Sequence, residues 1–214
     1  MKVQLPVLVF ATLAFSAFAF AQNNNNNYSL DTAYQVKYAS NLNIGDSVIN
    51  ITNDGSYNVS NSPASLCANV YTFAPDEQLI ACCSCLVTPD GLNSISAQAD
   101  LISNTLTGVV PTSIVVKIFS SKPNTGSTGA PSCSPSTVSY SSLEPGIKAW
   151  GTTLHAAPTT PVSYQVTETP FTMGNLSNGE FISDVTECAY IGVLGSGSGI
   201  CKSCATGGLG AAKE

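Results

Sequence analysis

The chain has 214 residues, of which only 9% are charged, with a formal net charge of −6 and no arginine. An acidic chain without arginine is a poor ligand for nucleic acid or an anionic membrane, because both are bound by neutralising phosphates with cationic side chains. Its polarity comes from Ser, Thr, Asn and Gly, which favours an extracellular β-rich protein over a cytoplasmic helical one.

The N-terminal segment has the pattern of a secretory signal peptide. Lys2 precedes an apolar run at 3–18, and Ala19 and Ala21 place small residues where a signal peptidase reads the chain. A membrane anchor is the alternative, since a span needs about 20 apolar residues, but no basic flank follows. We therefore predict a signal peptide over 1–21. The mature chain is then secreted, periplasmic or at the cell surface, with no membrane span after cleavage.

Downstream, the sequence first predicts a tail and then strands. Residues 22–33 are rich in Asn, which is typical of a flexible segment. Alternation of apolar and polar residues at 34–38 and 49–51 predicts two strands. Residues 66–74 and 78–87 form the clearest hairpin, joined by a three-residue turn.

The pattern then changes to one typical of a helix. Thr88 is a suitable N-cap and Pro89 a suitable first helical residue. Apolar residues follow at helical spacing: Leu92, Ile95, Ala99 and Ile102. We therefore predict a helix that begins at Thr88.

A strand, a long loop and two further strands follow. Residues 113–119 are β-branched and predict a strand, as do 148–156 and 162–168. Residues 120–146 are rich in Ser, Pro, Gly and Thr. Loops of this length are uncommon unless they are functional or tethered, so we expect Cys133 to tether this one.

The last predicted element is a helix. Ser177 and Glu180 form a capping-box pattern, and the helix should end near Gly195. About seven strands and two helices result. They predict a mainly β fold: a two-layer, immunoglobulin-like β-sandwich with about two helical insertions, stapled by disulfides. We expect a single domain over 34–206 and a disordered tail over 207–214.

Eight cysteines, all downstream of the leader, carry the strongest chemical signal: Cys67, Cys82, Cys83, Cys85, Cys133, Cys188, Cys201 and Cys204. An even number in an exported chain predicts disulfides, and we expect all eight to be paired. Strand alternation places Cys83 and Cys85 on one face and Cys82 on the other. The simplest hairpin register sets Cys67 opposite Cys85.

The connectivity at the C-terminus stays open. A glycine-rich linker at 195–199 would let Cys188 reach Cys201 or Cys204. Alternatively, Cys201 and Cys204 form a redox dithiol, although the strand-then-helix setting of such sites is missing. A tetrahedral zinc site is a further alternative, although exported thiols usually oxidise first; its ligands would be Cys83, Cys85, Cys201 and Cys204. We expect neither metal nor cofactor.

Other residues with catalytic or binding chemistry are isolated in the sequence. His155 is the sole histidine and shares a predicted strand face with Gly151 and Thr153, which is typical of a surface residue. Trp150 and the tyrosines could stack on sugars, although aromatic residues in strands more often belong to a core.

Three segments that include six of the eight cysteines resemble a known group of proteins. Residues 66–92, 150–155 and 199–204 are similar to segments of a family of small secreted proteins of unknown function from soil bacteria. The resemblance runs over most of the mature chain. It implies export and a disulfide-bearing fold, and it carries no known activity.

These observations favour an exported, non-enzymatic structural or interaction protein. We expect the 120–146 loop to face an unknown protein or glycan at the cell surface. One alternative is an extracellular hydrolase or carbohydrate-active enzyme that uses His155 or paired carboxylates. Another is a carbohydrate-binding module that uses Trp150 and tyrosines.

Overall fold

A computed structural model describes residues 32–126, 129–156, 164–201 and 205–206. The predicted signal peptide, most of the Asn-rich tail, the C-terminal tail and Cys204 lie outside these ranges. Ala33, at the end of the predicted tail, is buried, and its carbonyl accepts a hydrogen bond from Ser120 N at 2.8 Å.

The fold is mainly β, with two antiparallel sheets in the part of the chain that the structure describes. The first sheet has the order β13 (Thr172–Met173), β1 (Tyr34–Ala39), β8 (Ile114–Ser121), β5 (Leu66–Phe73) and β6 (Leu79–Val87). The second has the order β12 (Tyr164–Pro170), β11 (Ile147–Ala156), β2 (Val48–Asn53), β7 (Leu92–Ser96) and β14 (Ala205–Thr206).

Shorter elements complete the fold. Two small hairpins pair β3 (Asn58–Val59) with β4 (Ser62–Pro63), and β9 (Asn124–Thr125) with β10 (Pro131–Ser132). Helix α1 spans Asn178–Leu194, with one turn of π-helix at Ala97–Leu101 and one of 3₁₀-helix at Tyr140–Ser142.

The inner faces of the two sheets pack on each other through an aliphatic core. Ile51 of β2 and Ile147 of β11 share this core with Val70 of β5 and Ile118 of β8, and all four are fully buried. This packing confirms the predicted arrangement of sheet on sheet. Burying such a side chain contributes about 1.5–3 kcal/mol.

A second core, rich in aromatic residues, lies on the outer face of the first sheet. The Phe119 ring lies 4.7 Å from the Tyr71 ring and 5.7 Å from that of Phe181 on α1, measured between centroids. Helix α1 and part of the 120–146 loop thus form a third layer. Strand β5 is therefore buried on both faces, which explains its nearly continuous apolar sequence.

Helix α1 begins and ends as the sequence predicts. Ser177 Oγ accepts a hydrogen bond from Glu180 N at 3.1 Å, which satisfies one free donor of the first turn. Gly195 ends the helix at a φ of 63°, a left-handed conformation that glycine adopts without a steric penalty.

The predicted helix at Thr88 is wrong. Residues 92–96 form strand β7, in which Ile95 pairs with Ile49 of β2 and packs between the sheets. Ser96 then caps the single π-helical turn by accepting a hydrogen bond from Ala99 N at 2.8 Å. The short apolar pattern fits both periods, and burial between the sheets decides in favour of the strand.

The predicted cysteine register in the β5–β6 hairpin is also wrong. Ala74 N donates to Gln78 O at 2.9 Å, as a three-residue turn requires, but the register shifts by one residue between Thr72 and Phe73. Cys85 consequently pairs with Ala68 instead of Cys67. One extra residue in a strand turns every later side chain to the opposite face of the sheet. No residue type in this hairpin signals the extra residue.

Candidate functional site

Two disulfides attach the outer layer to the first sheet. Cys67 of β5 bonds to Cys133, which confirms the predicted tether of the 120–146 loop. Cys82 of β6 bonds to Cys188 of α1, so of the pairings that the sequence left open for Cys188, the links to Cys201 and Cys204 are not formed. Each outer element is therefore held to an adjacent strand by a covalent bond.

Two further cysteines lie on the inner face of β6. Cys83 and Cys85 point into the inter-sheet core and Cys82 into the outer core, as strand alternation predicts. Cys85 is also disulfide-bonded, whereas Cys83 and Cys201 are free thiols beside each other, so the expectation that all eight cysteines are paired is wrong for these two. An oxidised Cys85 cannot ligate zinc as a thiolate. Among the described residues, no three His, Cys, Asp or Glu side chains are grouped to hold a metal.

Titratable side chains converge in a cleft between α1 and the first sheet. The cleft has a volume of about 480 Å³, and its lining includes Phe73, Lys117 and Asp184. Lys117 Nζ lies 3.3 Å from both carboxylate oxygens of Asp184, forms an ion pair with Glu180, and lies 4.0 Å from the centroid of the Phe73 ring. The ammonium group of Lys117 therefore contacts two carboxylates and the face of an aromatic ring.

Asp184 has unusual electrostatics in this cleft. Only 2% of the residue is exposed, and burial raises its pKa to about 6, although the positive charge of Lys117 opposes the shift. The negative charge of Glu180 adds to the increase. A carboxyl group with such a pKa can exchange a proton near neutral pH, which is what general acid–base catalysis needs.

This cluster of Lys117, Glu180 and Asp184 was not predicted from the sequence. Lys117 is the single charged residue inside a β-branched strand, and Glu180, Asp184 and Glu187 recur at spacings of four and three residues. That spacing places three carboxylates on one helical face. The pattern therefore contained a signal, but the sequence could not place that face against β8.

His155 lies on the other sheet. It is exposed on β11, and its Nε2 atom lies 2.9 Å from Thr167 Oγ1 of β12. The predicted surface position is confirmed. His155 does not line the cleft around Asp184, which is built from the first sheet and α1.

The exposed aromatic residues lie on different parts of the molecule. Trp150 of β11 is 37% exposed and lies in register between Asn50 and Pro170 on the second sheet. Tyr38 is exposed on β1 of the first sheet, and Tyr190 on α1. These aromatic residues do not form one flat row of the kind that stacks along a polysaccharide.

The β9–β10 hairpin is the most exposed part of the tethered loop. Cys133 directly follows β10, and Tyr71 Oη donates to Pro135 O at 2.6 Å just beyond it. An ion pair of 2.6 Å joins Lys122 to Glu144 across the two ends of the loop. No charged residue lies between these two positions, so the hairpin is polar and neutral.

No protein-family model matches this chain, and neither does any curated protein or solved structure. Within the described residues, no helix combines the length and apolarity needed to cross a membrane.

Proposed function

We propose that this chain is an exported, non-enzymatic interaction protein that presents its β9–β10 hairpin to a protein or glycan at or outside the cell surface. The two sheets act as an immunoglobulin-like scaffold for that hairpin. The observation that carries the proposal is the Cys67–Cys133 disulfide, which fixes the base of a long exposed loop to a fully buried strand.

A fixed base favours binding because less conformational entropy is lost when a partner is bound. The hairpin has additional support from the hydrogen bond of Ser132 Oγ to Asn124 O at 3.1 Å. Its exposed side chains are small and polar, as in binding loops that adapt their hydrogen bonds to a partner. A neutral polar surface fits a glycan or a neutral protein surface better than a charged polymer.

Export is part of this proposal. Disulfides form and persist in oxidising compartments, which supports a secreted, periplasmic or surface location. The signal-peptide pattern at 1–21 and the resemblance to small secreted proteins from soil bacteria favour the same location.

The proposal is tested with secreted protein on glycan arrays and in pull-downs with cell-surface polymers. We expect specific retention, and at least about a tenfold loss of affinity in Asn124→Ala/Thr125→Ala, since truncation of contact residues typically costs 1 kcal/mol or more. The matched control is Gln165→Ala/Thr172→Ala, which changes two exposed polar residues on strands outside the hairpin. Equal losses in both variants, or no retention of the wild type, would contradict the proposal.

An extracellular hydrolase is the second candidate, favoured by Asp184 and Glu180 in the 480 Å³ cleft. Two carboxylates in different environments are the usual requirement of a glycosidase. Turnover of a glycoside or ester that is lost in Asp184→Asn and kept in Glu187→Gln would establish this candidate. Glu187 also lines the cleft, so the comparison isolates the buried carboxyl group.

A further inference from the structure

Two free thiols lie side by side at the edge of the first sheet. Cys82 N donates to Gly199 O at 2.9 Å, and Cys201 N donates to Cys82 O at 3.2 Å. This parallel bridge makes Cys82 and Ile200 register partners. The next pair in the same register is Cys83 and Cys201.

The geometry of this pair suits a disulfide. Neighbouring strands lie about 4.8 Å apart, and bonded cysteines have Cα separations of about 4.4–6.8 Å. Cys201 belongs to the inter-sheet core and Cys83 packs against that core, so both side chains point to the same side. The two thiols are close enough for Cys201 to affect the ionisation of Cys83.

We propose that Cys83 and Cys201 are a redox-closable pair, which a small-molecule disulfide such as oxidised glutathione converts into a disulfide that fastens residues 199–201 to β6. The pair lines a pocket of about 390 Å³, together with Ser84 and Ser136, through which such a molecule approaches.

The reaction is two successive thiol–disulfide exchanges. The Cys201 thiol loses its proton and attacks one sulfur of oxidised glutathione; the glutathione S–S bond breaks and one glutathione thiolate leaves. The Cys83 thiol then loses its proton, attacks the Cys201 sulfur of the mixed disulfide, and releases the second glutathione. In total, two protein thiols are oxidised by two electrons, and one oxidised glutathione is reduced to two glutathione molecules.

The environment assigns the order of the two steps. The hydrogen bond with Cys201, together with burial, raises the pKa of the Cys83 thiol well above its usual range, and the nearby Asp100 adds to the increase. Because the thiolate is the nucleophile, the raised pKa slows attack by Cys83, and we assign Cys83 to the second step.

Closure has a structural consequence at the edge of the sandwich. Residues 199–201 border β6 of the first sheet, and β14 pairs with β7 of the second. A bond at Cys201 therefore fixes residues 199–201 to β6, shortly before β14 begins on the second sheet. The bond also holds residues 199–201 over the edge of β6. An uncovered edge strand is open to pairing with another chain.

The test uses unreduced, secreted protein in a glutathione redox buffer, followed by unfolding, alkylation and mass spectrometry. We expect the alkylatable thiols of Cys83 and Cys201 to disappear. Peptide mapping should then find a disulfide between Cys83 and Cys201. We also expect amide exchange at Cys201 to slow by about tenfold or more on closure, since local opening is then restricted. Protein isolated with this link already present supports the proposal equally.

The matched variant is Cys83→Ser, which keeps the attacking thiol and removes the resolving one. It should accumulate a stable mixed disulfide with glutathione on Cys201, whereas the wild type should not. Three results would overturn the proposal: both thiols remain alkylatable at equilibrium with oxidised glutathione, either cysteine bonds to a different one, or the pair retains stoichiometric zinc.

Discussion

The two sheets have similar inner faces but very different outer faces. The outer face of the first sheet is covered by α1 and the 120–146 loop, with Phe119 and Tyr71 fully buried beneath them. The outer face of the second sheet carries Trp150, which is partly exposed, among polar side chains. The disulfides of the described outer layer occur only on the first sheet.

Polar side chains on the outer face of the second sheet form hydrogen bonds with one another. Asn50 Nδ2 donates to Glu168 Oε1 at 2.9 Å, and Ser94 Oγ donates to Asn50 Oδ1 at 2.7 Å. Such cross-strand contacts each contribute only about 0.2–1 kcal/mol. We infer that stability is concentrated in the first sheet and its outer layer, and mutations matched between the two sheets should therefore differ in cost.

Full reduction should have the largest effect. The Cys67–Cys133 and Cys82–Cys188 bonds span 66 and 106 residues, and each contributes about 2–5 kcal/mol, a large part of a typical total of 5–15 kcal/mol. We expect the melting temperature to fall by many degrees in reductant. Thermal melts of Cys67→Ala/Cys133→Ala and Cys82→Ala/Cys188→Ala separate the two bonds. An unchanged midpoint in both would mean that packing alone holds the outer layer.

Truncation of a buried aromatic residue should cause the second-largest loss of stability. Phe119→Ala removes the ring that contacts Tyr71 and Phe181 and should cost about 3–5 kcal/mol in urea denaturation. Trp150→Ala, the matched change on the second sheet, should cost much less because part of the ring already contacts water. Equal costs would show that the two outer faces contribute alike to stability.

The buried carboxyl group of α1 should make stability depend on pH. The pKa of Asp184 is about 6 in the folded chain, above its ordinary value of 3.8, so the folded state holds this proton more tightly. The contribution of Asp184 to the free energy of unfolding is therefore fully present below its ordinary pKa of 3.8. It is lost as the pH rises through about 6. Between about pH 4 and pH 7 we expect a loss of roughly 1–3 kcal/mol from this group.

Asp184→Asn should flatten that dependence, because the amide does not titrate. Urea denaturation of both proteins at several pH values measures the slopes, with Glu187→Gln as the control on the same helix. Parallel slopes for the wild type and Asp184→Asn would show that Lys117 keeps the carboxylate ionised throughout.

The sequence predicted those elements whose signals are local. The cap of α1 at Ser177 and the β5–β6 hairpin are confirmed because hydrogen bonds between near neighbours specify them. Strand β7 was missed because the burial of Ile95 depends on β2, which lies about 45 residues away in the chain. Local propensity does not contain that information.

The site was less predictable than the fold for the same reason. Cys133 was expected to tether its loop, but its partner depended on a register shift that no residue type signals. Lys117 and Asp184 come from a strand and a helix that meet only through the third layer. Alternation of apolar and polar residues could not show which face of the first sheet is covered, because β5 is apolar on both faces.

The smallest effect is expected at His155, on the exposed face of the second sheet. Its contact with Thr167, at 2.9 Å, is open to water, so His155→Ala should cost under about 0.5 kcal/mol. A double-mutant cycle with Thr167→Val should give a coupling energy of similar size. Binding in the glycan and surface-polymer assays should be unchanged, because the proposed binding surface lies on another element. A folded His155→Ala protein that loses an activity of the wild type would instead place the functional site on the uncovered sheet. That result would reverse the comparison, since the less stabilised half of the molecule would then carry the chemistry.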